Sequence, residues 1–262
     1  MRALIVVICL FATSCDFTKP SIQQQVYNHD SIFNPIVALA DSLVYDNDTI
    51  AIYKIDSAVY SKVQNGAIAA RETLPYVSDF EVAKKLLKGR VVFGGYNNST
   101  RLIDSTLNGE WIYAVHFENG KSILTNQDQY LWDVGFFLYY PTEDILLCEG
   151  GHSSDFSIDL KNAVVGSELV GNPKYMLLSP SAKYRLNGWF PGQECSDYFL
   201  QMKTAQGYEL LTRIPMHISK EGFDFCTLKD EFWKDDTNLY FRNVYFGIDD
   251  DPRLGYFRLQ IK

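Results

Sequence analysis

Beyond Gly89 the chain consists of short runs of β-branched, aromatic and leucine residues separated by turn-forming residues. Runs of this kind, bounded by pairs such as Asn119-Gly120 and Pro191-Gly192, are typical of antiparallel strands. We therefore predict a mainly β, antiparallel body over residues 90–262, built as a sandwich or a curled sheet. The predicted strands read RVVFGGY, EWIYAVHFE, KSILT, YLWDVGFFLYY, DILLCEG, KYRLNGWF, DYFLQMK, YELLTRI, NLYFRNVYF and GYFRLQI.

Residues 31–89 carry mixed patterns and predict a small α/β segment. The stretch SDFEVAKKLLKG predicts a helix, because Asp79 or Ser78 can cap its start and Gly89 follows its end. DTIAIYKI alternates and predicts a strand, whereas SIFNPIVALADSLVY starts with capping residues and predicts a second helix. No proline-rich or charged linker interrupts the chain near Gly89, so we expect one continuous globular unit with residues 90–262.

A faint repeat raises the alternative of a β-propeller. The segments SPSAKYRL, from Ser179, and FWKDDTNLYF, from Phe232, resemble the text that opens a strand in propeller blades. YPTEDILL, from Tyr140, is similar to the same pattern but matches it less well. The three segments are unevenly spaced, which is unfavourable for a regular repeat, so the sandwich or curled sheet remains the favoured architecture.

The first fourteen residues have the organisation of a secretory signal peptide. Arg2 supplies a positive charge, residues 3–11 are apolar, and residues 12–14 are small. The apolar run is about half the ~20 residues that a membrane-spanning helix needs. We therefore predict that residues 1–14 are a cleaved signal rather than a membrane span or part of the core.

Cys15 directly follows the triplet Ala12-Thr13-Ser14, and this arrangement resembles the lipobox of bacterial lipoproteins. The match departs from the usual pattern in having Ala12 where leucine is commonest. The resemblance implies that Cys15 becomes the first residue and carries acyl chains such as palmitate. Residues 15–30 would then be a tether, and the protein would be membrane-anchored in the bacterial cell envelope, facing the periplasm or the cell surface.

Composition narrows the classes of partner. The formal net charge is −8 at pH 7, which argues against binding nucleic acid, whose phosphates require basic surfaces. It also disfavours docking of the folded body on anionic lipid. The expected partners are the membrane, through the lipid on Cys15, and a protein or a glycan.

Five cysteines are present, and three of them, Cys148, Cys195 and Cys226, follow the signal and the proposed anchor. In an oxidising compartment these three can form one disulfide and leave one thiol, with three alternative pairings. The other interpretation, which the sequence slightly favours, is three reduced and buried cysteines. The spacing does not resemble a CxxC metal or redox motif.

The segment NGWFPGQECSDYF is the most distinctive candidate for a binding surface. Trp189 and Phe190 beside a Pro-Gly turn, with Gln193 and Glu194 following, can form an aromatic platform with a polar rim. Such a surface suits a sugar or a peptide. The alternative is an ordinary turn whose aromatic side chains pack inward.

Other clusters predict no catalytic or metal site. CEGGHSSDFSID places Ser153, His152 and Asp155 in one short stretch, but neighbouring residues in a loop rarely converge into a catalytic triad, and GxSxG is absent. GIDDDPRLG lacks the alternating ligands and the glycine of a calcium loop. We therefore predict neither a cofactor nor a metal.

Two functional hypotheses follow. The first is a non-catalytic envelope lipoprotein that binds a protein partner, a toxin as an immunity factor, or a glycan. The alternative is an envelope hydrolase acting on glycan or peptidoglycan, because that chemistry needs only two carboxylates at a suitable separation. The sequence favours the first hypothesis.

Overall fold

A computed structural model describes residues 41–65, 74–127, 134–150, 155–166, 169–189, 195–218, 223–244 and 255–262. The described residues all belong to one compact unit, Ala38–Lys262. The proposed signal, Cys15 and the tether lie outside the described residues, so their assignment stays a prediction.

The described chain is built mainly from strands with two α-helices. The strands are β1 Ser42–Asp46, β2 Ile50–Ile55, β3 Val91–Asn97, β4 Leu102–Asp104, β5 Trp111–His116, β6 Ser122–Leu124, β7 Val134–Tyr140, β8 Ile145–Gly150, β9 Asp155–Asp159, β10 Val164–Gly166, β11 Leu177–Leu178, β12 Tyr184–Trp189, β13 Asp197–Thr204, β14 Gly207–Arg213, β15 His217–Ile218, β16 Phe223–Asp224, β17 Thr227–Trp233, β18 Asn238–Val244 and β19 Tyr256–Ile261. The helices are α1 Ser57–Gln64 and α2 Phe80–Leu86, with 3₁₀ turns at Thr125–Gln127 and Pro173–Tyr175.

Three large antiparallel sheets organise these strands. Sheet I has the order β1-β2-β19-β18-β17, so strands from both ends of the described chain share it. Sheet II has the order β10-β9-β8-β7-β5-β3-β4, and β6 pairs with β5. Sheet III has the order β11-β12-β13-β14, while β15 and β16 form a separate hairpin. The predicted antiparallel β class is confirmed: one sheet curls into a half-barrel, and the described strands form neither a propeller nor a closed barrel.

Sheet III is the middle layer of the fold. One of its faces packs on sheet I through a core that includes Leu186, Leu200 and Phe257. Its other face packs on sheet II through a second core, which includes Leu147 and Phe199. Strand β12 is consequently buried along its whole length, because it has a sheet on both sides.

The helices cover the outer faces of the two flanking sheets. Helix α2 packs Ala83 onto the core of sheet II, and its start is capped as predicted, with the Asp79 carboxylate accepting from the Val82 amide at 2.9 Å. Gly89 adopts a φ of 83° just after the helix, where a glycine is favoured. Helix α1 packs Tyr60 against Phe232 on the outer side of sheet I.

One predicted helix is wrong in its described part. Residues 42–45 of SIFNPIVALADSLVY belong to strand β1, which pairs with β2 in an antiparallel hairpin. The Asn47 side chain accepts hydrogen bonds from the amides of Thr49 and Ile50, at 2.8 and 2.7 Å, and closes the turn between the two strands. The turn at Asn47 therefore determines the structure of this segment more strongly than the helical spacing of the apolar residues that precede it.

The interpretation of three reduced cysteines is also wrong. Cys195 and Cys226 form a disulfide with their Cα atoms 4.3 Å apart, and Cys148 is buried as a free thiol. The disulfide joins the segment before β13 in sheet III to the segment before β17 in sheet I. Of the three pairings that the sequence leaves open, the structure adopts Cys195–Cys226.

Candidate functional site

Trp111, Gly135 and Glu149 lie in register across three neighbouring strands of sheet II. Trp111 on β5 pairs with Gly135 on β7, and Gly135 pairs with Glu149 on β8. Residues paired directly across antiparallel strands project from the same face of a sheet. The three positions therefore form a row of a large aromatic group, a vacant position and a carboxylate.

A cleft of about 400 Å³ opens along this row, and its described lining is Glu110, Trp111, Gly135, Phe136 and Glu149. A Cβ atom on Gly135 would lie 3.6 Å from the carbonyl oxygen of Glu149 and 3.9 Å from that of Glu110. The two glutamates thus flank Gly135 on opposite sides. Because glycine has no side chain, the row dips at Gly135, which forms the floor of the cleft.

The cleft lies on the face of sheet II that is turned away from helix α2. Ile112 and Cys148, the neighbours of Trp111 and Glu149 along their strands, belong to the core beneath α2. Successive side chains of a strand point to opposite faces, so the row occupies the other face. Part of that face is covered by sheet III, which packs on Leu147 of β8. Glu149, two residues further along β8, is exposed, and Trp111 is half-buried.

Three closely packed glycines place Glu110 and Trp111 at the cleft. A Cβ atom on Gly109 would stand 2.6 Å from the carbonyl oxygen of Gly94, and one on Gly95 would stand 2.9 Å from that of Asn108. The turn that precedes β5 therefore lies directly on the backbone of β3. The amide of Phe136 then donates to the carbonyl of Glu110 at 2.8 Å, which holds the start of β5 against β7.

An exposed tyrosine extends the aromatic side of the cleft. Tyr96 on β3 is 38% exposed, and its ring centroid lies 6.0 Å from that of Trp111, with the ring planes 47° apart. Aromatic pairs at this separation stabilise each other's orientation. Trp111 is thus held in place while part of its indole remains accessible to a ligand.

The side chains of Glu110 and Glu149 lack polar partners among the described residues. Both residues are exposed, and neither side chain forms a hydrogen bond or an ion pair with the part of the chain that the structure describes. Ionised carboxylates are strong acceptors for hydroxyl, ammonium and guanidinium groups. The cleft thus combines an aromatic residue with the carboxylate of Glu149, and its described lining includes no basic residue.

The sequence-predicted platform is only partly described. Trp189 is 4% exposed, lies in the core between sheets II and III and stacks on Phe199 at 6.2 Å between ring centroids. The ring therefore packs inward, as in the alternative interpretation, and among the described residues its indole Nε1 has no hydrogen-bond partner. Phe190, Gln193 and Glu194 lie outside the described residues, so a platform formed by them stays a prediction.

Sequence reasoning did not select Trp111, Gly135 or Glu110. These residues become neighbours only through the pairing of β5, β7 and β8, which the sequence does not specify. Glu149 belongs to CEGGHSSDFSID, whose residues 151–154 lie outside the described part. A signal was present in the glycines of VVFGGYN and TLNGEW, since glycine within or beside a strand often marks a close backbone approach.

Two other polar clusters are structural. The fully buried Arg185 makes a bidentate pair with Glu143, at 2.6 and 3.1 Å, and donates to Gln201 at 2.9 Å. Arg90 makes a bidentate pair with Asp144, which also accepts from the Tyr139 hydroxyl at 2.8 Å. The charges in each cluster are paired, so these clusters tie turns to strands.

The described residues contain neither an assembled metal site nor a membrane-spanning helix. No three His, Cys, Asp or Glu side chains come close enough there to hold a metal ion. The helices of the described chain are too short or too polar to cross a bilayer.

No protein-family model, curated protein or solved structure matches the chain. The functional interpretation of the cleft therefore rests on its own geometry and chemistry.

Proposed function

We propose that this protein is a membrane-anchored lipoprotein of the bacterial cell envelope, and that its folded body is a non-catalytic binding module. The lipid is carried by Cys15. The binding site is the cleft formed by Glu110, Trp111, Gly135 and Glu149. The partner is a protein, including a toxin in an immunity pair, or a glycan.

The disulfide between Cys195 and Cys226 supports an envelope location. Disulfides persist in exported proteins and are rare in the reducing cytosol of mesophilic organisms. The charged, apolar and small segments of residues 1–14 supply the signal for export, and Cys15 stands at the start of the mature chain. The two features come from opposite ends of the sequence and agree on the same compartment.

The observation that carries the binding proposal is the row of Trp111, Gly135 and Glu149 at the cleft. Binding sites are typically concave, with an aromatic wall that supplies contact area and a few polar groups that fix orientation. The cleft has this composition, and its volume of about 400 Å³ falls within the range typical of ligand sites.

A hydrolase of glycan or peptidoglycan is the second candidate, because Glu110 and Glu149 flank the same cleft. Glycosidases use two carboxylates about 5–9.5 Å apart, one of which acts as a general acid. The general acid is usually desolvated, which keeps it protonated near neutral pH. Both glutamates of this cleft are exposed, which favours binding over catalysis.

The anchor is tested by following membrane fractionation and labelling with a palmitate analogue. Cys15→Ser is expected to abolish the label and to release the protein from membranes. Cys9→Ser, which alters a cysteine of the apolar run, is the matched control and should retain both the label and the membrane fraction. An unchanged membrane fraction for Cys15→Ser would show that the lipoprotein assignment is wrong.

The binding site is tested by comparing wild-type protein with Gly135→Val on envelope extracts and on purified peptidoglycan. Valine suits a strand, and its Cβ would lie at ordinary van der Waals distances of 3.6 and 3.9 Å from the nearest backbone oxygens, so it should block the site while the fold persists. A binding module loses its bound partner in this variant and releases no soluble fragments from peptidoglycan. Fragment release by wild type that Glu110→Gln or Glu149→Gln abolishes would instead establish the hydrolase.

A further inference from the structure

We propose that the cleft binds a cationic side chain, an arginine or lysine carried by a basic segment of a partner protein. This inference rests on the proposed function, because it names the ligand of the same site. Of the possible partners, it favours a protein with a basic segment over a glycan. Binding of a glycan is one of the outcomes that the test distinguishes.

The charge of the cleft is the first argument. Its described lining includes two acidic residues, Glu110 and Glu149, and no basic residue. Neither carboxylate is neutralised by a partner within the described chain. With a formal net charge of −8 around it, the cleft attracts cations and repels anionic ligands.

The aromatic wall is the second argument. The faces of indole and phenol rings carry negative electrostatic potential and attract a cation within about 6 Å. Trp111 is half-buried and is held in position by Tyr96, and its side chain projects from the same face of sheet II as that of Glu149. A cation entering between Trp111 and Glu149 gains both interactions, whereas a neutral sugar gains no charge attraction.

The same combination of groups holds two arginines within this fold. The guanidinium of Arg258 lies 4.5 Å from the ring centroid of Tyr53 and pairs with Asp41 at 3.0 Å. The guanidinium of Arg185 lies 4.1 Å from the ring centroid of Tyr208 and pairs with Glu143. In both places an aromatic ring and a carboxylate hold one guanidinium between them.

The cleft presents the same two kinds of partner with space between them. Trp111 supplies the ring and Glu149 the carboxylate, and Gly135 separates them across the paired strands. A volume of about 400 Å³ admits the end of one or two long side chains rather than a folded domain. A flexible basic segment is therefore the form of partner that suits the site.

The test is calorimetric titration of the full folded body with a hexa-arginine peptide and with a hexa-citrulline peptide. Citrulline keeps the shape of arginine and removes its charge. Wild type should bind the arginine peptide at least tenfold more tightly than the citrulline peptide, with an affinity that falls as salt rises. Equal affinities for the two peptides would overturn the proposal.

Three variants distinguish binding in the cleft from general attraction to an acidic protein. Gly135→Val changes no charge and should reduce the affinity about tenfold or more by filling the cleft. Glu149→Gln should reduce it similarly, whereas Glu118→Gln, an equal charge change beyond the other end of β5, should change it less than about twofold. Circular dichroism confirms that each variant is folded.

The outcomes separate this inference from the proposed function. If chito-oligosaccharides bind and Gly135→Val abolishes that binding, while the arginine peptide binds all variants equally, the cationic ligand is wrong and the binding module stands. If Gly135→Val affects neither the peptide nor the capture of partners from envelope extracts, both proposals are wrong.

Discussion

The backbone of Gly109 lies directly on that of Gly94, so closely that a Cβ on Gly109 would stand 2.6 Å from the Gly94 carbonyl oxygen. This contact presses the turn before β5 onto β3 and thereby sets the position of Glu110 and Trp111. Gly135, at the floor of the cleft, has no such constraint, because its nearest neighbours to an added Cβ lie at 3.6 and 3.9 Å. Substitution by alanine should therefore destabilise the protein at Gly109 and have little effect at Gly135.

Gly109→Ala is expected to lower the free energy of unfolding by about 1–3 kcal/mol, because the methyl group meets backbone that cannot move aside. Gly135→Ala is the control and should change it by less than about 1 kcal/mol. Urea denaturation of both variants measures the difference. Equal stability of Gly109→Ala and wild type would contradict the close packing of the two strands.

The disulfide is expected to stabilise the folded body by about 3–4 kcal/mol. It closes a loop between Cys195 and Cys226, which are 31 positions apart, and restricts the unfolded chain. The double variant Cys195→Ala and Cys226→Ala should unfold at lower urea than wild type and be insensitive to dithiothreitol. If dithiothreitol leaves wild type unaffected under conditions where the disulfide is shown to be reduced, this contribution is absent.

Glu143→Ala should destabilise the protein by about 3 kcal/mol or more. It removes the Glu143 carboxylate from the guanidinium of Arg185, which is fully buried. Asp46→Ala is a suitable comparison, because it removes the exposed partner of Lys262 and should cost less than about 1 kcal/mol. A Glu143→Ala protein as stable as Asp46→Ala would show that Arg185 is not buried as described.

Stability should fall at alkaline pH, in part because of Tyr139. Desolvation, together with the hydrogen bond to Asp144, raises the pKa of Tyr139 to about 12 from an ordinary value of 10.0. The folded state thus retains a proton that the unfolded state loses, so the contribution is complete below pH 10 and is lost as pH rises towards 12. Tyr139→Phe should reduce the slope of unfolding free energy against pH in this window by about one proton, measured by urea denaturation. If Tyr139→Phe left the pH dependence of the unfolding free energy unchanged, the raised pKa of Tyr139 would be contradicted.

The sequence predicts elements whose signals are local and misses relationships that depend on pairing. The capped helix α2 and most strands follow from the spacing of apolar residues within each segment. Strand β1 was predicted as part of a helix because the turn at Asn47 and the pairing with β2 outweigh the spacing of the preceding apolar residues. The disulfide depends on which chain segments meet, so spacing left its pairing open.

The candidate site could not be predicted from the sequence, because it also depends on which strands pair. A tryptophan beside a Pro-Gly turn suggests an exposed platform, but Trp189 ends a strand that has sheets on both sides. Trp111 looks like an ordinary strand residue in the sequence. Its importance comes from the glycine and the glutamate that the strand register places beside it, and these lie far from it along the chain.

Strand β19 lies between β2 and β18, and its Phe257 and Leu259 are fully buried. Sheet I therefore remains incomplete until residues 256–261 have been synthesised and delivered to the compartment where the protein folds. For an exported chain, this arrangement favours translocation in an unfolded state, since one edge of β2 has no partner until residues 256–261 have crossed. For an exported chain, the order of passage through the membrane and the order in which sheet I is completed are thus linked by strand β19.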